Sequence, residues 1–184
     1  PGYSSEVQLN KTSEDHNEIP TLKSIFEKNE KIFVQNIDSV NKILPTPKSE
    51  IYTGKDLMVS GEFNIFASQE LSQEAFLLQS SIKQNLGVEL LISEKSNDSK
   101  NIILQISSLA NKNPEAYELT IDENNITISG NTSAGVFYGI QSLRALIPVV
   151  SYKTPQESLL IPCGTIKDAP ELGYRGMHLD VARN

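Results

Sequence analysis

The sequence predicts an α+β fold, a mostly antiparallel sheet with two helices packed on one face. Three observations predict it. Residues 117–121 and 126–129 alternate apolar and polar around Asp122-Glu123-Asn124-Asn125, which is the signature of a β-hairpin. Leu71, Ala75, Leu78, Ile82 and Leu86 recur at helical spacing, as do Val136, Ile140, Leu143 and Ile147. The strand candidates alternate more than they run as unbroken apolar blocks, which suits a sheet covered on one side only.

Taken in order, residues 1–42 form a polar leader, partly disordered, in which Ile25-Phe26 and Ile32-Phe33-Val34 mark a short helix or strand. Ile43-Leu44-Pro45-Thr46-Pro47 is an extended entry, because each proline fixes its own φ and pushes its predecessor out of the helical region. Residues 51–52 and 63–66 read as short strands. A helix begins at Ser68 or Gln69 and stops at Gly87. Strands are expected at 88–92 and 101–106, separated by a polar loop over 93–100. Thr132 or Ser133 caps the second helix and Pro148 ends it. Gly135 and Gly139 each cost that helix about 1 kcal/mol of propensity relative to Ala, and close approach to the sheet is the compensating gain. Residues 159–161 and 165–166 are strands, and Asp168-Ala169-Pro170 is a turn.

The chain has 184 residues and a net charge of -7. An acidic surface repels phosphate, so no nucleic acid is expected as a partner. No apolar run approaches the roughly 20 residues that span a bilayer, so no membrane span is expected. Pro1-Gly2-Tyr3 lacks a basic-then-apolar signal pattern and reads as a processed end. A single cysteine, Cys163, forms no internal disulfide. Four N-x-S/T sequons, at Asn10, Asn97, Asn125 and Asn131, carry meaning only in a glycosylating compartment.

Chemistry is sparse over residues 1–170. His16 lies in the leader and His178 in the terminal run; no H-E-x-x-H, C-x-x-C, P-loop, G-x-G-x-x-G or G-x-S-x-G occurs. Cys163 has only Lys167 nearby as a base and reads as a buried, neutral thiol. Asp122-Glu123 belongs to a solvated turn, Glu14-Asp15 to the leader and Asp168 to the turn before Pro170. None sits in an apolar run that would raise a carboxyl into the range of a general acid. No catalytic residue, metal site or cofactor is therefore assigned.

Two segments are specific. Glu115-Ala-Tyr-Glu-Leu-Thr-Ile-Asp122, Ile126-Thr-Ile-Ser-Gly130 and Ser133-Ala-Gly-Val-Phe-Tyr-Gly-Ile-Gln-Ser-Leu-Arg-Ala-Leu-Ile147 resemble the second half of the non-catalytic domain that precedes the barrel in β-N-acetylhexosaminidases of glycoside hydrolase family 20. Ile166-Lys-Asp-Ala-Pro-Glu-Leu-Gly-Tyr-Arg-Gly-Met-His-Leu-Asp-Val-Ala-Arg-Asn184 resembles that family's entry to the barrel. The resemblance implies a zincin-like domain without a metal site over 43–170, and the first strand of a (β/α)8 barrel, truncated, over 171–184.

It also implies an enzyme that releases terminal β-linked N-acetylglucosamine or N-acetylgalactosamine from glycans. Hydrolysis would proceed with retention, the substrate's own acetamido oxygen attacking the anomeric carbon. No cofactor is implied. The Asp-Glu pair of that mechanism lies downstream of residue 184, so this chain alone is expected to be inactive and to have its own catalytic barrel as partner. One site residue maps onto the chain. Barrel sites lie at the C-terminal ends of the strands, which puts Arg183 at the substrate end and Arg175 at the opposite end. In the family the Arg matching Arg183 holds the C3 and C4 hydroxyls of the terminal sugar, a vicinal pair that a guanidinium fork suits. Asp180 reads as a structural strand-end residue, and Asn184 stands where a His is common. A secreted or periplasmic location is expected. The competing readings are a like domain from an O-GlcNAc hydrolase or α-glucuronidase, or a carbohydrate-binding module; the absence of Trp disfavours the last.

Overall fold

The computed structural model describes residues 21–30, 42–94, 100–173 and 176. The chain divides into two compact units, Pro1–Val40 and Asn41–Asn184. In the first, Leu22–Glu30 forms helix α1, so the expected short element is a helix. Thr21 caps it, its Oγ1 accepting the Ser24 N–H at 3.1 Å. Leu22, Ile25 and Phe26 share one exposed face of α1.

The second unit holds a seven-stranded sheet. Its strands are β1 (Ser49–Ser60), β2 (Asn64–Ala67), β3 (Leu91–Ser93), β4 (Asn101–Ile106), β5 (Tyr117–Ile121), β6 (Ile126–Gly130) and β7 (Ser158–Asp168). Helix α2 (Ser72–Leu86) follows β2, entered through a 3-10 turn at Gln69–Leu71, and helix α3 (Ser133–Leu146) follows β6. The order across the sheet is β1-β7-β5-β6-β4-β2-β3. From β1 to β6 the neighbours are antiparallel; from β6 to β3 they are parallel. The expectation of a mostly antiparallel sheet is therefore corrected to a mixed one. The reason is connectivity: α2 carries the chain back across the sheet after β2, and a crossover of that length returns a parallel strand. The run Ile102-Ile103-Leu104 carried this signal, since parallel strands read as continuous apolar blocks.

Registry makes the core. Ile166, Leu119, Ile128 and Leu104 lie abreast, as do Ile121, Ile126, Ile102 and Ile65, and all are essentially fully buried. Ala75, Leu78 and Ile82 of α2 and Val136, Ile140 and Leu143 of α3 close over this face. The two helices also touch each other, so they share one side, as expected. The opposite face is mixed: Thr165, Thr120 and Thr127 lie abreast, Lys167 pairs with Glu118 at 2.9 Å and Gln105 donates to Ser129 at 2.9 Å, while Ile51, Met58 and Leu160 on the β1–β7 ribbon are exposed.

Two expectations shift. The expected strand over 88–92 starts only at Leu91, because Lys83 pairs with Glu89 and Gln79 donates to the Leu90 carbonyl at 2.7 Å, holding that stretch against α2. The two short strands near the C-terminus are one, β7, and the expected 51–52 strand is part of the long β1. Their ladder slips between Tyr52 and Asp56, where Thr53, Gly54 and Lys55 stand opposite Cys163 alone. Past the slip, the buried residues of β7 change from Gly164 and Ile166 to Leu159 and Ile161. A bulge inverts the faces in this way, which blurred the period-2 pattern in the sequence.

Candidate functional site

The glycine pair of α3 meets its expectation. A Cβ at Gly135 would overlap the Ala116 carbonyl oxygen, and one at Gly139 would overlap Ile128 and touch Tyr117. The helix backbone thus lies directly on β5 and β6. Gly130 makes the turn into the helix equally tight, since a Cβ there would overlap the Val136 amide. Thr132 holds the N-cap position in an extended conformation but makes no cap hydrogen bond; its hydroxyl donates instead to the Pro114 carbonyl at 2.8 Å. Asn131 fastens the preceding loop: its Nδ2 donates to the Asn111 and Asn113 carbonyls, and its Oδ1 accepts the Leu109 N–H at 2.8 Å.

This packing leaves a groove of about 310 Å³ between α3 and the chain entry. Leu44, Pro45, Tyr117, Tyr138, Ala145 and Pro170 are among its walls. The entry bends through a cis Leu44–Pro45 peptide, with Ile43 in the core and Leu44 exposed. At the floor, Tyr117 and Ser142 hydroxyls are 2.5 Å apart. Burial raises the Tyr117 phenol above its ordinary value, against the Ser142 hydrogen bond, which lowers it. Beside it, the Tyr52 hydroxyl donates to Glu50 Oε1, which also accepts the Lys42 N–H at 3.2 Å. Burial first, then the Glu50 hydrogen bond and charge, hold the Tyr52 proton far above the tyrosine range. Both phenols are neutral hydrogen-bonding groups at neutral pH, without acid-base capacity there.

The carboxylates serve turns. Asp122 accepts the Asn124 and Asn125 N–H groups at 2.7 and 2.8 Å, an Asx turn closing the β5–β6 hairpin, and Glu123 pairs with Lys55 at 2.5 Å. Asp168 accepts the Ala169 N–H at 2.8 Å and the Lys48 N–H at 3.3 Å. Cys163 is buried with its thiol raised by desolvation, and its Sγ donates to the Asp122 carbonyl at 3.4 Å. Among the described residues no cluster of three or more His, Cys, Asp and Glu could hold a metal ion. Arg183, the sequence-predicted substrate-binding residue, lies outside the described residues, as do Arg175, His16, His178, Asp180 and Asn184. The groove beside α3 was not anticipated; its signal was the single charged residue, Arg144, in the 14 residues of α3.

The described residues of the second unit form one sheet, half antiparallel and half parallel, with two helices on one face. A family model described as "Glycosyl hydrolase family 20, domain 2" matches residues 40–169, and the chain belongs to that family. It is 31% identical over 150 residues to beta-hexosaminidase B of Pseudoalteromonas piscicida, covering 80% of this chain and 18% of that protein. It is 31% identical over 179 residues to a beta-hexosaminidase of Vibrio vulnificus, covering 96% of this chain and 19% of that one. The chain thus spans about a fifth of the curated relatives' length. The solved GH20 beta-N-acetylhexosaminidase of Streptomyces coelicolor A3(2) shares the fold, with a TM-score of 0.65 at 24% identity over 73% of this chain and 28% of that one.

Proposed function

We propose that the chain is the N-terminal, non-catalytic support domain of a β-N-acetylhexosaminidase that releases terminal β-linked N-acetylglucosamine or N-acetylgalactosamine from glycans by substrate-assisted retaining hydrolysis. The observation that carries the reading is the family match over 40–169, followed directly by the barrel-entry sequence Arg175-Gly-Met-His-Leu-Asp-Val-Ala-Arg183. In this reading the fold is zincin-like without a metal site, residues 171–184 begin the (β/α)8 barrel, and the protein works outside the cytoplasm or in the periplasm. The acid and the orienting carboxylate belong to the barrel, and Arg183 binds the vicinal hydroxyls of the terminal sugar.

The test is hydrolysis of a chromogenic β-N-acetylglucosaminide. The full-length protein turns it over and the 184-residue chain does not. Turnover by the short chain, or none by the full-length protein, refutes the reading. Arg183→Ala in the full-length enzyme should raise KM and lower kcat with thermal stability unchanged. A hydrogen-bonded sugar contact of this kind is worth about 2 kcal/mol, roughly 30-fold in kcat/KM. Unaltered kinetics would remove Arg183 from the site.

A further inference from the structure

Asn113 opens the turn that leads into β5, and each of its polar groups is engaged. Its backbone N–H donates to Asn111 Oδ1 at 2.9 Å. Its carbonyl accepts the Ala116 N–H at 3.0 Å and Asn131 Nδ2 at 2.7 Å. Its side-chain Oδ1 accepts the Glu115 N–H at 2.9 Å. An aspartate in its place would make every one of these bonds, since they use only the backbone and an acceptor oxygen. The remaining bond runs elsewhere: Nδ2 donates at 3.2 Å to the carbonyl of Pro170, 57 residues away in sequence. A carboxylate has no proton to give there. The amide at this position therefore answers to the chain's exit from β7, and the turn alone does not require it.

That exit is held at three successive residues. Asp168 Oδ1 accepts the Ala169 N–H at 2.8 Å and the Lys48 N–H at 3.3 Å. Ala169 is buried. Pro170, whose ring fixes its own φ, is held by Asn113. Leu172, two residues on, is 69% exposed. Among the described residues the Asn113 bond is thus the last hydrogen bond on the way out of the domain. The barrel-entry sequence from Arg175 to Arg183 follows directly. Releasing Pro170 returns backbone freedom to the connection, and each freed residue widens the range of directions the chain can take.

We infer that Asn113 is a positioning residue: by holding the Pro170 carbonyl it fixes the direction in which the chain leaves the domain, and through it the placement of Arg183 against the sugar. The inference rests on the support-domain reading above, and it gives the domain a share in substrate binding exerted from a distance. The experiment uses the full-length protein carrying Asn113→Asp, which keeps the turn and removes only the donor. Read beside the parent are backbone hydrogen exchange over residues 169–173, KM and kcat on a chromogenic β-N-acetylglucosaminide, and thermal stability. Exchange over 169–173 should quicken. At neutral pH, KM should rise about fivefold, the size of one neutral hydrogen bond, with kcat and melting temperature close to the parent's. A protonated carboxyl regains an O–H donor, so the ratio of variant to parent KM should fall towards one as pH drops to about 4. A domain that is merely weakened would not be repaired by acid. Unchanged exchange over 169–173 overturns the inference, and so does quickened exchange with an unchanged KM. Joint loss of KM, kcat and stability without recovery in acid also overturns it. An inactive full-length parent sinks the hexosaminidase reading instead, and exchange alone then decides whether Asn113 sets the exit.

Discussion

At the scale of single residues, the contacts of α3 with the sheet are set by what two glycines lack. Replacing either by Ala gains about 1 kcal/mol of helix propensity. At Gly135 that gain meets a backbone oxygen, that of Ala116, which also accepts the Asn131 N–H at 3.2 Å. At Gly139 the obstacle is Ile128 Cγ2, the end of a side chain that can rotate. Overpacking costs about 1 to 3 kcal/mol. Gly135→Ala should therefore destabilise the domain by about 2 kcal/mol net, and Gly139→Ala by clearly less. Urea unfolding of the two variants checks the order; equal stability of Gly135→Ala and the parent would mean the helix can lift off the sheet. Both positions were legible in the sequence, because glycines spaced four apart in a helix have a cost that only close packing offsets.

Among the elements, the hairpin, α3 and strands β4 and β5 follow from local pattern alone, since each is set by residues adjacent in sequence. The parallel half of the sheet does not: its pairing depends on where α2 returns the chain, which no local alternation encodes. The long β1–β7 ribbon was hidden for a different reason, the bulge at Thr53-Gly54-Lys55 that exchanges inside for outside midway. Gly54, with φ of +79° and open space around it, takes the left-handed turn this needs. The Asn131 clamp was not legible in the sequence. In sequence it is a sequon, but both atoms of its amide are engaged, so a glycan there would require the loop 107–113 to open. Asn131→Ala should cost about 2 kcal/mol, at roughly 1 kcal/mol or less per hydrogen bond lost. The Leu109 amide, which donates to Asn131, should then exchange with solvent much faster; unchanged exchange at Leu109 would show the loop is held by something else.

For the molecule as a whole, the core is continuous from β1 to α2, while the groove was not legible in the sequence and Arg183 lies outside the described residues. The groove is an effect of tertiary assembly, uniting residues 43–45, α3 and the end of β7 from three distant parts of the chain. The same assembly buries Tyr117 and partly buries Tyr52, and this sets a global pH dependence. Tyr52 and Tyr117 both have native values raised above the ordinary 10.0, chiefly by desolvation. Above pH 10.0 the unfolded chain has lost those protons while the folded chain still holds them. The folded state then binds more protons, so unfolding free energy falls as pH rises. The stabilisation is complete below pH 10.0 and is lost as pH climbs through the raised native values. Lys55, raised by Glu123, has the same sign but is solvent-exposed and screened. In a phenolate absorbance titration, two of the six tyrosines should ionise only together with loss of tertiary structure. Tyr52→Phe should flatten the alkaline fall in stability while lowering stability at neutral pH through the lost Glu50 hydrogen bond. Ordinary titration of all six tyrosines in the folded protein would show that neither phenol is sealed from water.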